Sequence, residues 1–172
     1  MPFQLFLATR RTVLGAAAPA LLAVAGAITG SHSSAAADKL AVVATTGMIA
    51  DAATQIGGDA VEVKALMGPG VDPHAYRQTR SDIVAMTKAD LILWHGLYLE
   101  AQMEAFFANL AKTRPVVAVA EAMPEELLIS HDDYADKFDP HVWMDPDRWQ
   151  HVVIAIRDAL TEAKPERKAE FE

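Results

Sequence analysis

One tripeptide occurs twice in this chain, as Asp72-Pro73-His74 and as Asp139-Pro140-His141. Each copy stands in a polar loop after an apolar run, so any fold for this chain has to present two histidine loops built alike. The first copy closes the stretch Met67 to Arg77, which is too rigid for a spacer and too polar for a core. Gly68 and Gly70 permit backbone angles that other residues avoid, while Pro69 and Pro73 each fix φ at about −65°. His74 is therefore offered from a constrained support. Two imidazoles held in the same manner suggest half of a metal site.

The runs between these loops predict the scaffold. Leu40 to Ala44 reads as a buried strand, followed by a helix with Ile49, Ala52, Ala53 and Ile56 at helical spacing, which Gly57-Gly58 stops. Val61 to Leu66 alternates and predicts a half-exposed strand at a sheet edge. A helix over 80–88 is expected to turn Ile83, Val84 and Thr87 inward. Leu91 to Trp94 is a third strand, and Leu99, Met103, Phe106, Phe107 and Leu110 mark an amphipathic helix. Pro115 to Ala120 is a fourth strand. The last helix carries Trp149, Val152, Val153, Ile156, Leu160 and Ala163 as one stripe, begins at Asp145-Pro146, and gives way at Pro165 to the first turn of another. Strands alternating with helices predict an α/β fold, a parallel four-stranded sheet flanked by helices. Ligands of such sheets bind beyond the carboxyl ends of the strands. His74 follows strand two and His141 follows strand four, so one rim can hold both.

Residues 1–37 are read apart from this scaffold. Arg10-Arg11 precedes an apolar run to Ile28 and a small-residue passage ending Ala35-Ala36-Ala37, the layout of an export signal cleaved after Ala37. The paired arginines are twin-arginine-like, although Val13 and Gly15 depart from that pattern and leave the Sec route open. The run from Val13 to Ile28 is shorter than the ~20 residues of a spanning helix, so no stable membrane anchor is expected. Two of the 15 basic residues lie in this signal and none of the 23 acidic ones do, so the remainder is more acidic than the formal −8 of the whole chain. That balance argues against a nucleic-acid partner and against an anionic membrane surface. Cysteine is absent, which excludes disulfides and thiolate metal ligands. The chain reads as an exported, soluble and monomeric protein of a periplasm.

Neutral imidazole is the commonest protein metal ligand, and a proline beside each histidine lowers the cost of holding it. A single Asp-Pro-His would read as a surface turn; its recurrence at equivalent positions favours His74 and His141 as a pair of metal ligands. Asp72 and Asp139 either accept a ring or backbone N–H and so orient the histidines, or form the turns before the prolines. His95 ends a strand at the same rim, placed to line a cleft or to support one from behind. His131 and His151 read as solvent-exposed. Trp94, Trp143 and Trp149 read most simply as core or lobe-surface packing, although Trp143, two residues after His141, is also placed to shield the site.

Four passages carry a family resemblance: Met67-Gly-Pro-Gly-Val-Asp-Pro-His74-Ala-Tyr76, Trp94-His-Gly-Leu-Tyr-Leu-Glu100, Glu121-Ala-Met-Pro124 and Asp139-Pro-His141-Val-Trp143-Met-Asp145-Pro146. In order and content they resemble the metal-binding family of substrate-binding proteins that serve ABC importers for manganese and zinc. The resemblance implies that 38–164 is the N-terminal metal-binding lobe of a two-lobed protein, with His74 and His141 as its ligands. Residues 165–172 would begin the long helix connecting the lobes. A His or Glu and an Asp from the second lobe would complete the site. The cargo would be a divalent metal ion, Mn2+ or Zn2+, and the partners the permease subunits of an ABC transporter. Zinc-dedicated members often insert a His-rich acidic loop before the second ligand. Here that region holds only His131, which leans towards manganese or a broad manganese/zinc choice. A metallohydrolase using the same histidines is the rival from another class, but the chain has no His-Glu-x-x-His and no Gly-x-Ser-x-Gly. A metal-binding adhesin or metallochaperone is the third.

Overall fold

The computed structural model describes residues 39–132 and 134–172. The export signal expected over 1–37 lies outside these residues. Four parallel strands, β1 (Leu40–Ala44), β2 (Val61–Ala65), β3 (Leu91–Trp94) and β4 (Val116–Ala118), form one sheet in the order β2-β1-β3-β4. The chain runs from β1 outward to β2 and then crosses to the other side for β3 and β4. The order therefore reverses between β1 and β3, which pair directly through Val42–Leu91, Val43–Ile92 and Ala44–Leu93. The crevice of an open α/β sheet lies at the carboxyl ends of such a strand pair.

Both faces of the sheet are covered, because side chains of successive strand residues point to opposite sides. Val42, Ala44, Leu91 and Leu93 pack on one side with Ile49 and Ala53 of α1 (Gly47–Gly57) and with Val152, Ile156 and Leu160 of α4 (Pro146–Ala163). Val43 and Ile92 pack on the other side with Met86 of α2 (Arg80–Lys88) and Phe107 and Leu110 of α3 (Glu104–Leu110). Continuous apolar strands are the sequence form of a sheet buried on both faces. The expected α/β architecture is the one observed.

Several local expectations need correction. In α2 the inward residues are Asp82 and Met86, while Ile83, Val84 and Thr87 face solvent. The cap sets that phase: Thr79 and Asp82 form a reciprocal capping box, and Asp82 Oδ2 also accepts the Tyr76 hydroxyl at 2.7 Å. A carboxylate turned inward rotates the next two residues outward. Leu99 and Met103 are buried as expected, but in turns ahead of α3, because Gly96, Leu97 and Tyr98 all have positive φ and prevent an earlier helical start. β4 ends at Ala118, where the chain tightens into a 3-10 turn over Val119–Ala122. Its three residues are only half-buried, as befits an edge. In α4 the buried stripe includes Ala155 and Ala159, while Val153 is half-buried. His131 and His151 are half-buried rather than exposed. His131 packs edge-on to Tyr134, with ring centroids 4.8 Å apart, in a loop closed by the Ser130–Phe138 bridge. His151 directly precedes the fully buried Val152. After α4, a 3-10 turn Pro165–Arg167 leads into α5 (Lys168–Phe171), whose Phe171 is buried in the core shared by α1 and α4.

Candidate metal centre

The His74 loop is built by its punctuation residues. Gly70 has φ +80°, a conformation that L side chains rarely adopt, so this turn calls for glycine. The backbone N–H of His74 donates to Asp72 Oδ1 at 3.0 Å, closing an Asx turn over Pro73. Downstream, Tyr76 donates its hydroxyl to the Asp82 carboxylate, which ties the loop to the start of α2. Burial pushes the Asp82 carboxyl up, but hydrogen bonds from Thr79 and Tyr76 outweigh it and hold the group below its ordinary value. Burial and the Asp82 hydrogen bond together push the Tyr76 hydroxyl up to about 12.

The His141 loop repeats the plan with one addition. The His141 backbone N–H donates to Asp139 Oδ1 at 2.8 Å, and the ring Nδ1–H donates to the same oxygen at 2.6 Å. The backbone bond, reinforced by the ring, holds the Asp139 carboxyl below its usual range against the opposing effect of burial. With Nδ1 engaged as a donor, Nε2 of His141 carries the lone pair. Asp72 and Asp139 thus differ. Asp72 builds a turn, whereas Asp139 builds a turn and also orients an imidazole.

The two loops meet although 67 residues separate the histidines. His74 Nε2 and His141 Nε2 face each other at 3.3 Å. Two nitrogens bound ~2.0–2.1 Å from a tetrahedral ion stand about 3.3–3.4 Å apart, so the observed spacing is that of a ligand pair. Both imidazoles are exposed on the rim. Trp143 flanks them, its ring centroid 5.1 Å from that of His141. Among the described residues, no group of three or more His, Asp or Glu side chains is placed to hold one ion. A cavity of about 640 Å³ along β4, lined by Trp94, Phe107, Val116 and Glu121, includes neither histidine. An ion requires converging donors rather than volume, so the histidine pair marks the candidate centre.

His95 stands behind this pair and is fully buried. Its Nε2–H donates to the Pro140 carbonyl at 2.7 Å, and its ring meets Trp143 edge-on at 5.4 Å. Burial pushes its pKa down to about 4 despite the Pro140 bond, which keeps the ring neutral at pH 7. Sequence reasoning did not single out Glu100, Thr45, Asp82 or Tyr76 for roles at this rim. The available signals were the places of Tyr76 and Glu100 at the ends of two of the passages that carry the resemblance, and a carboxylate, Glu100, set between the apolar residues Leu99 and Ala101.

The family described as ZnuA, zinc-uptake complex component A, periplasmic, matches residues 42–172. The chain belongs to the ZnuA family. TroA of Treponema pallidum, a zinc-binding protein by name, is 44% identical over 142 residues, which cover 83% of this chain and 46% of TroA. The manganese-binding lipoprotein MntA of Bacillus subtilis is 39% identical over 162 residues, covering 94% of this chain and 53% of MntA. The iron-binding protein YfeA of Yersinia pestis is 38% identical over 129 residues, or 75% of this chain and 41% of YfeA. The solved structure of the periplasmic zinc-binding TroA matches with a TM-score of 0.73, over 77% of this chain and 47% of that one. The chain spans about half the length of the curated relatives it matches. The names of these three relatives thus carry three different metals.

Proposed function

We propose that this chain captures a divalent transition metal ion, Mn2+ or Zn2+, outside the cytoplasm for delivery to the permease of an ABC importer, and performs no chemistry on its cargo. His74 and His141 are the ligands in this reading, and the facing Nε2 atoms 3.3 Å apart are the observation that carries it. Asp139 supports it by fixing the His141 tautomer, since an imidazole that ligates through one nitrogen gains basicity and orientation from a carboxylate on the other. The buried His95 serves from behind, through the Pro140 carbonyl. A set of nitrogen and oxygen donors suits either zinc or manganese, and the further donors of an opposing lobe, expected from the family resemblance, would bias the choice. The location proposed is a periplasm, reached by a signal cleaved after Ala37, with the mature chain free of a membrane anchor and monomeric.

Calorimetric titration of the full chain with Zn2+ and then Mn2+ tests this reading. Two imidazoles leave most of the coordination shell to water, so binding should be weak and Zn2+ should bind more tightly than Mn2+, following the intrinsic affinity order. His74→Ala and His141→Ala should each weaken Zn2+ binding at least about tenfold, with unchanged circular dichroism. Wild-type affinity in either variant, or metal-dependent hydrolysis of ester or phosphate substrates, would overturn the assignment.

A further inference from the structure

Beneath the histidine pair lies a carboxylate to which the ligand assignment gives no role. Glu100 is fully buried, and glutamate is almost never fully buried without partners. Its Oε1 accepts the Thr45 hydroxyl at 2.6 Å and the His95 backbone N–H at 2.9 Å, and its Oε2 accepts the Gly96 N–H at 3.2 Å. Thr45 directly follows β1, and His95 and Gly96 directly follow β3. The carboxylate therefore bridges the two strands where the sheet order reverses, at the mouth of the crevice. From there the contacts continue to the rim. The His95 ring holds the Pro140 carbonyl and touches Trp143, and these two residues flank His141 on either side.

We propose that Glu100 is a positioning residue for the metal site: it locks the ends of β1 and β3 together so that His95 sets the Pro140 carbonyl, and with it the place of His141 Nε2 opposite His74. This rests on the reading of His74 and His141 as ligands. Glu100 does not touch the ion; it acts through backbone and through His95. Glu100→Gln keeps the shape but replaces one acceptor oxygen with an NH2 group, which faces a donor it cannot satisfy.

The test uses the full chain with Co2+ as probe, because the visible absorption of bound Co2+ reports ligand number and geometry, together with Zn2+ affinity and the melting temperature without added metal. Glu100→Gln and His95→Leu should bind Co2+ and Zn2+ about tenfold or more weakly, with a shifted Co2+ spectrum. His95→Gln, whose amide can still donate towards the Pro140 carbonyl, should recover part of the loss. Thr45→Val, which removes one hydroxyl donor, should fall between. Variants that melt lower but keep wild-type affinity and spectrum would overturn the proposal, leaving Glu100 a role in stability alone. Should Glu100→Gln fail to fold, Thr45→Val and His95→Leu decide by the same readouts. A wild-type chain that binds neither ion, or His74→Ala binding as well as wild type, would instead bring down the ligand reading and this inference with it.

Discussion

At the residue scale, the two Asp-Pro-His copies are unequal in a way their identical letters conceal. Asp139 bonds both the backbone and the ring of His141, whereas Asp72 accepts from the backbone N–H of His74. Asp139→Ala should therefore weaken Zn2+ binding about 10–100-fold, the usual cost of losing a carboxylate behind a ligating histidine, and Asp72→Ala should cost less; parallel titrations would rank them. His95 yields a prediction about pH. Its folded pKa, about 4, lies below the ordinary histidine value of about 6.5, so between those values the unfolded chain binds the extra proton. Stability from this group is full above pH ~6.5 and falls as the pH drops towards 4, by about 3 kcal/mol in all. Glu100, raised by burial, acts in the opposite sense above its ordinary carboxylate range, so the His95 contribution is the difference between wild type and His95→Gln. Urea melts of both from pH 7 to pH 4 should converge as the pH falls; parallel curves would show that His95 takes up its proton as readily in the folded chain as in the unfolded one. The meeting of His74 and His141 was legible because the tripeptide repeats. The roles of Glu100 and Asp82 were not, since their partners are backbone N–H groups, threonine hydroxyls and a tyrosine that only the folded chain collects, and a lone buried carboxylate leaves no periodic trace.

At the element scale, the strands were read closely and the helices less so. β1 and β3 are buried on both faces, so composition alone declares them. A helix must also be given a phase, and in α2 the apolar pair Ile83 and Val84 suggested the wrong one because the inward residue, Asp82, is polar. In α4 the caps were readable: Asp145 accepts from the N–H groups of Asp147 and Arg148, with Pro146 at the first turn. Asp145→Ala should lower stability by about 1 kcal/mol. The turn after β3 is less forgiving. Gly96 has φ +83°, and a Cβ there would stand 2.9 Å from the Glu121 side chain and 3.0 Å from Ala118 Cβ. Gly96→Ala should cost about 1–2 kcal/mol for the backbone conformation alone, with the clash in addition. Denaturant melts of the two variants should order them with Gly96→Ala the more destabilised, and equal midpoints would mean that the turn can reshape itself at little cost.

At the scale of the whole molecule, alternation of strand and helix was sufficient to read the parallel sheet, because a parallel neighbour demands a crossover and the crossovers here are helices. Strand order was not readable, since β1 and β3 are both apolar throughout and nothing local records which one neighbours β2. The export reading carries its own check: N-terminal sequencing of the mature product should begin at Asp38, and an uncleaved, membrane-bound product would contradict it. The sheet also has two open margins, and their chemistry bears on how the chain behaves when concentrated. β2 exposes Glu62 and Lys64 along its length, and β4 is three residues long with Pro115 immediately before it. Charges, brevity and a flanking proline are the devices that deny an edge to an incoming strand. Sedimentation velocity should therefore show no growth of higher species with concentration. Exchanging Glu62 and Lys64 together for valine should turn a guarded margin into an adhesive one, seen as fibrillar or amorphous self-association while the rim that carries His74 and His141 remains as it was.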